Sequence, residues 1–82
     1  MSRRIPYPPC AYQNCKYEYT VKWPDLVGLR ASICRTIIEQ DNPFVTVVNV
    51  PPGGTIDGNF CCNRVYLFLD DKNVCKFPPT VG

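Results

Sequence analysis

The sequence predicts an α+β domain in which one helix packs on a small sheet, a long exposed loop separates two strands, and disulfides staple the fold. Three observations predict it. A single helical pattern lies between Gly28 and Pro43, two β-branched runs flank a stretch rich in proline and glycine, and six cysteines occur in 82 residues. A chain this short has room for one domain and one modest core, and chains of this size commonly need covalent staples. An even, dense set of cysteines, at positions 10, 15, 34, 61, 62 and 75, suits three bridges formed in a secreted or otherwise oxidising compartment.

Each element follows from local pattern. Ala31, Cys34, Ile37 and Ile38 recur at spacings that keep them on one face of a helix, while Arg30, Arg35, Glu39 and Gln40 take the other. Asn42 and Pro43 stop it, because proline restricts the residue before it and lacks the amide hydrogen of a further turn, so the helix is expected over residues 30–41. Residues 44–50 (FVTVVNV) and 64–70 (RVYLFLD) read as strands, the second with Val65, Leu67 and Leu69 on one face. A third run, 74–77, follows the turn signal at 70–73 and is expected to pair antiparallel with the second. Ahead of the helix, Pro6, Pro8 and Pro9 break regular structure while Tyr7, Tyr12, Tyr17 and Tyr19 supply apolar area. That composition describes an arm. Its two cysteines argue that it is tied to its own domain rather than offered as a proline-rich ligand.

Several function classes are excluded on chemical grounds. No Cys-x-x-Cys and no histidine are present, and adjacent Cys61 and Cys62 point to opposite faces of an extended strand, so no metal site is expected. A net charge of +2 is too small to imply a nucleic-acid partner, and the basic pair Arg3 and Arg4 reads as a solvated end. No apolar run approaches the roughly 20 residues a membrane helix requires, and with no leader visible, a secreted protein would be in its mature form. Without histidine, and with cysteines better suited to bridges than to nucleophilic attack, the chain reads as a non-enzyme without cofactor. Residues 51–60 instead attract a function, because loops of that length in compact domains are commonly functional. Ile56 and Phe60 are apolar residues in a segment that otherwise reads as exposed, which indicates a binding surface; the bland alternative is a linker whose two apolar residues fold back on the core.

A family resemblance sharpens this reading. Trp23, Pro24, Asp25, Leu26, Val27 and Gly28 resemble the Trp-Pro-Glu-Leu-Val-Gly opening of the potato inhibitor I family. The likeness continues through the helix, its Asn42 and Pro43 end, the run Asn63, Arg64, Val65, and the closing Pro79, Val81 and Gly82. It divides the chain into an arm, 1–22, and a domain, 23–82. The resemblance implies a helix against a twisted mixed sheet, with a parallel pair of strands joined by an inhibitory loop spanning about residues 53–62. Such a loop lies extended in the cleft of a serine protease and adds a strand to its edge. The loop residues so implied are Thr55, Ile56, Asp57, Gly58, Asn59 and Phe60, with the scissile bond between Gly58 and Asn59.

Arg64 matches one of two family arginines that hold the loop from the sheet, and Tyr66 stands in place of the second, so Arg64 and Tyr66 are the loop-support residues the resemblance implies. The usual threonine before the specificity residue is Asp57, and the specificity residue itself is Gly58. Some family members bridge the arm to the position of Cys62, so Cys10 and Cys15 are expected to pair with Cys61 and Cys62 in one of two orders, leaving Cys34 to bridge Cys75 where helix meets sheet. The partner implied is a subtilisin-like, elastase-like or chymotrypsin-like serine protease. Because Gly58 offers the main pocket nothing to bind, the competing reading is a non-inhibitory extracellular module on the same scaffold, serving in defence or as a toxin-like ligand. A structural or storage role is a third.

Overall fold

A computed structural model describes residues 10–13, 15, 18–56 and 58–82. Arg3, Arg4, the prolines at 6, 8 and 9, Tyr7, Tyr17 and Asp57 lie outside the described residues.

Trp23 roots the domain. Its ring is buried, its backbone N–H donates to Pro79 O at 2.9 Å, and its indole Nε1 donates to Asp41 Oδ2 at 3.0 Å, so one residue fastens both the C-terminal segment, through its backbone, and the end of the helix, through its side chain. A single 3-10 turn, Pro24–Leu26, buries Leu26 and leads into helix α1, Ala31–Asp41. The helix presents Ala31, Cys34 and Ile38 inward as buried side chains, with Ile37 half-buried beside them. On its outer face Arg35 and Glu39 pair at 3.6 Å, an exposed contact that contributes only a few tenths of a kcal/mol. Asn42 closes the helix through a fully used amide. Its N–H donates to Ile38 O at 2.9 Å, its Nδ2 to Thr20 O at 3.0 Å, and its Oδ1 accepts the Phe44 N–H at 3.1 Å. Such satisfaction is what permits a polar side chain to be 2 % exposed.

Strand β1, Thr46–Val50, runs parallel to β2, Arg64–Phe68, in a register that sets Thr46 opposite Arg64 and Val50 opposite Phe68. A two-residue β3, Thr80–Val81, lies antiparallel on the other side of β2, so the sheet is mixed with order β1-β2-β3. Alternation along β2 sends Val65 and Leu67, with Leu69 beyond its end, into the core against the helix, while Tyr66 and Phe68 take the opposite, half-buried face.

Two expectations are corrected. The third strand is not 74–77 but Thr80–Val81, and the earlier segment makes only isolated bridges, Val74 with Arg30 and Cys75 with Leu69. Its backbone is shared between two neighbours: Cys75 N–H donates to Leu29 O at 2.8 Å while Lys76 N–H donates to Phe68 O at 2.8 Å. Pro78 and Pro79, which have no N–H, then prevent a continuous ladder. The expected Cys34 to Cys75 bridge is likewise absent, and both are free, buried thiols. They contact one another by a side-chain hydrogen bond, but each also has a carbonyl partner, Leu26 O and Leu29 O at 3.6 Å for Cys34 and Phe77 O at 3.1 Å for Cys75. Thiols satisfied in this way are stable in the core without oxidation.

Burial pushes both thiols up, Cys75 to about 11, which keeps them protonated and unreactive at neutral pH. A thiol reagent at pH 7 is therefore expected to label neither residue in the native protein and to label Cys34 and Cys75 once it is unfolded in denaturant; no labelling after unfolding would establish the bridge instead. A second expectation concerns the 70–73 turn, where Asp70 Oδ1 accepts the N–H groups of Val74 at 3.0 Å and Lys72 at 2.8 Å. These bonds, that of Val74 foremost, hold the carboxyl below its ordinary value of 3.8. A depressed folded-state value stabilises above the unfolded value, and that contribution is lost as pH falls through the folded one. Asp70→Asn should thus melt below wild type at pH 7, and the gap should close in acid; a gap independent of pH would show that the charge is irrelevant.

Candidate functional site

The chain leaves β1 at Val50 and turns at once. Gly54 N–H donates to Pro51 O at 2.9 Å, and Gly53 takes φ 78°, a left-handed conformation that glycine adopts without strain. Beyond this turn every described residue through Phe60 is exposed. Ile56 and Phe60 are each 49 % exposed, so neither is folded back into the core, and the apolar surface they carry faces solvent. Thr55, Ile56 and Gly58 stand at the outer part of the loop, whereas Asp57 between them lies outside the described residues. A Cβ built on Gly58 meets nothing within 4 Å, and its φ falls outside the left-handed range, so the position has both room and backbone for a side chain.

Past Gly58 the surroundings change. Cys61 is bridged to Cys10 and Cys62 to Cys15, which fixes the order that the sequence left open, with Cα separations of 5.2 Å and 5.7 Å. The arm lies along this part of the chain as a short backbone partner: Cys62 N–H donates to Ala11 O at 2.7 Å, and Ala11 N–H donates to the Asn63 side-chain oxygen at 2.9 Å. The Asn59 amide adds weak contacts to the bridge sulfurs, 3.6 Å from Cys10 and 3.8 Å from Cys61.

Arg64, the first residue of β2, reaches up from the sheet. Its Nη2 donates to Asn59 O and its Nε to Gly82 O, both at 2.7 Å, and the guanidinium lies 4.3 Å from the centre of the Tyr66 ring. Gly82 N–H donates back to Arg64 O at 2.8 Å, which fixes the terminal residue against the strand. Short bonds from a cation to carbonyls are the strong kind, each worth about 1.5 to 3 kcal/mol when buried, and Arg64 is 7 % exposed.

The structure thus brings together Asn59, Phe60, Arg64, Tyr66 and the four bridged cysteines at the base of the loop, and places Cys34 and Cys75 apart from them in the core. Three contributors escaped the sequence reading as site residues. Gly82 and Asn63 stood only as points of family likeness, and nothing in a lone Ala11 marks a backbone partner, although its place between two cysteines locates it near the loop. The assembly is an exposed loop braced from below, and among the described residues it brings together no acid, base and nucleophile. It leaves the apolar side chains of Ile56 and Phe60 open to solvent.

Comparison with known proteins bears on the family to which this arrangement belongs. The Potato inhibitor I family model matches residues 14–82. An inhibitor of trypsin and Hageman factor from Cucurbita maxima is 37 % identical over 60 residues, covering 73 % of this chain and 88 % of that protein. A Glu S. griseus protease inhibitor from Momordica charantia is 33 % identical over 60 residues, with the same coverage of 73 % and 88 %. Among solved structures, a bitter gourd trypsin inhibitor superposes with a TM-score of 0.76 at 31 % identity, covering 78 % of this chain and 94 % of that one. With the family matched over most of the chain, and with relatives above 30 % identity aligned over nearly their whole length, the chain belongs to the potato inhibitor I family of protease inhibitors.

Proposed function

We propose that this protein inhibits a serine protease by presenting residues 53–62 as a substrate-like strand, with the bond between Gly58 and Asn59 offered for attack. The observation that carries the reading is the Arg64 fork, since it grips Asn59 directly after that bond, with the two bridges close behind it. A loop already fixed in its bound shape loses little entropy on docking. If the enzyme cleaves it, the amine of Asn59 remains tethered where it can re-attack the acyl-enzyme, so hydrolysis is slow and readily reversed. The inhibitor behaves as a substrate that cannot leave. Two disulfides support an oxidising, extracellular setting for this activity.

Gly58 selects among targets. Trypsin-type pockets end in a carboxylate that calls for lysine or arginine, and glycine supplies neither. Elastase-like enzymes, and subtilisin-like enzymes of broad tolerance, accept a nearly empty pocket while Ile56 and Phe60 contact the cleft on either side. The same glycine is the observation that favours the second reading, a non-inhibitory binding module, because it forgoes about 1.5 to 3 kcal/mol of side-chain burial. Incubation with subtilisin, elastase, chymotrypsin and trypsin, followed by residual activity and the mass of any cleaved chain, separates these. Inhibition of the first two with trypsin spared supports the proposal, whereas no inhibition, with or without loop cleavage, supports the module.

Two substitutions extend the test. With Cβ space free and φ permissive, Gly58→Leu should tighten binding to subtilisin or chymotrypsin roughly tenfold to a hundredfold. No gain toward either enzyme would remove Gly58 from the reactive position. Arg64→Ala removes the charged bond to Asn59 O and should weaken inhibition about tenfold to a hundredfold and speed loop cleavage, read by mass over time. Unchanged inhibition and cleavage together would refute the support role.

A further inference from the structure

We propose that Tyr66 is a positioning residue for inhibition, acting through Arg64, and that an aromatic stack on the open face of the sheet holds it in place. The inference rests on the reading of the loop as inhibitory. Alternation along β2 sets Arg64, Tyr66 and Phe68 on one face, opposite the residues that meet the helix. The Arg64 guanidinium lies 4.3 Å from the Tyr66 ring centre, well inside the range over which a cation is attracted to an aromatic face. Tyr66 is followed by Phe68 at 6.1 Å between centroids, and Phe68 by Phe77 edge-on at 6.0 Å, with Lys76 5.6 Å from the Phe77 ring. These separations are those of interacting rings. A continuous stack therefore runs from the segment after the 70–73 turn to the underside of the loop.

Its consequence is geometric. The in-plane bonds to Asn59 O and Gly82 O fix two edges of the guanidinium but do not resist tilting of its plane, and a long arginine has many rotamers to which it can escape. A ring against its face opposes that tilt. Where the family is implied to use two arginines side by side, this chain uses one arginine on an aromatic platform. An aliphatic side chain of similar size would fill the same space without the ring's negative face, so the contribution assigned to the ring depends on aromaticity rather than on volume.

A double-mutant cycle tests this, combining Tyr66→Leu with Arg64→Ala and using Tyr66→Phe as the conservative rescue. Inhibition and loop hydrolysis are read with subtilisin, amide hydrogen exchange is read at Asn59 and Phe60, and melting temperature serves as a control. Tyr66→Phe is expected within about twofold of wild type, and Tyr66→Leu should weaken inhibition and speed loop exchange about threefold to thirtyfold. In the Arg64→Ala background Tyr66→Leu should add nothing to either. Equal effects in both backgrounds, or damage by Tyr66→Phe equal to that by Tyr66→Leu, would overturn the proposal. If Tyr66→Leu does not fold, Tyr66→Met takes its place in the cycle. Should the wild-type protein inhibit no protease, the inhibitory reading fails separately. Coupling of Tyr66 and Arg64 in the exchange rates would then still establish positioning of the loop, and its absence would refute it.

Discussion

The bonds from Arg64 to Asn59 O and Gly82 O join three segments, the exposed loop, the start of β2 and the last residue of β3's continuation, of which the loop is the one that the hydrophobic core does not hold. Every described residue from Pro51 to Phe60 is exposed, so the loop cannot be held by apolar burial in the way the helix is. Polar bonds at its base must substitute, and they are effective there because the guanidinium is itself nearly buried. The core contributes indirectly. Val65, Leu67 and Leu69 clamp β2 against the helix, and the backbone so fixed is the platform from which Arg64 and Tyr66 project on the other side.

Parallel pairing explains why the loop is long. With Thr46 opposite Arg64 and Val50 opposite Phe68, the chain leaves beside Phe68 and must return to a point beside Thr46, roughly 13 Å back along the strand. Such returns are usually made by a helix that buries itself on the sheet. Here the return is irregular and stands clear of the core, which makes it available to a partner but costly to order. Closing residues 10 to 61 and 15 to 62 by disulfides lowers the entropy of the unfolded chain, about 4 kcal/mol for the first bridge on the chain-entropy account and less for a second that closes nearly the same loop.

Much of this was legible in the sequence because strong periodicities carried it. The helix face of Ala31, Cys34 and Ile38 and the buried row of Val65, Leu67 and Leu69 follow from spacing alone, and the long loop follows from its prolines and glycines. The third strand was misplaced because Val74 and Cys75 look like strand residues, yet Cys75 bonds through its backbone to Gly28 and Leu29, Val74 bonds to Asp70, and it is Lys76 that reaches β2, at Phe68 O. Thr80–Val81 is too short to show a period. Cys34 and Cys75 do meet, but adjacency in the core does not decide between a bridge and two satisfied thiols. Arg64 and Tyr66 share a face of β2 by alternation and were both implied as loop support, but the ring contacts that continue from Tyr66 to Phe77 were not legible, because Phe77 comes from a segment whose placement no local pattern encodes.

What remains is an asymmetry between the two ends of the loop. Among the described residues, the strongest tethers gather after Gly58: the Arg64 fork at Asn59, the bridges at Cys61 and Cys62, and the Ala11 backbone partner. Before it, the described support is the turn in which Gly54 N–H meets Pro51 O, packed on Val50. For an ordinary binding loop, equal support at both ends would serve as well. A loop meant to survive attack has a different need, because the acyl side is held covalently by the enzyme once the bond is opened, while the leaving side is free to diffuse unless the inhibitor retains it. Fixing that amine gives it a high effective concentration against the water that would otherwise hydrolyse the acyl-enzyme. If the bond attacked is the one after Gly58, as proposed, then two disulfides and a buried cation on its leaving side are the arrangement that favours rejoining, and they would offset the side chain that a bare glycine does not offer the enzyme's pocket.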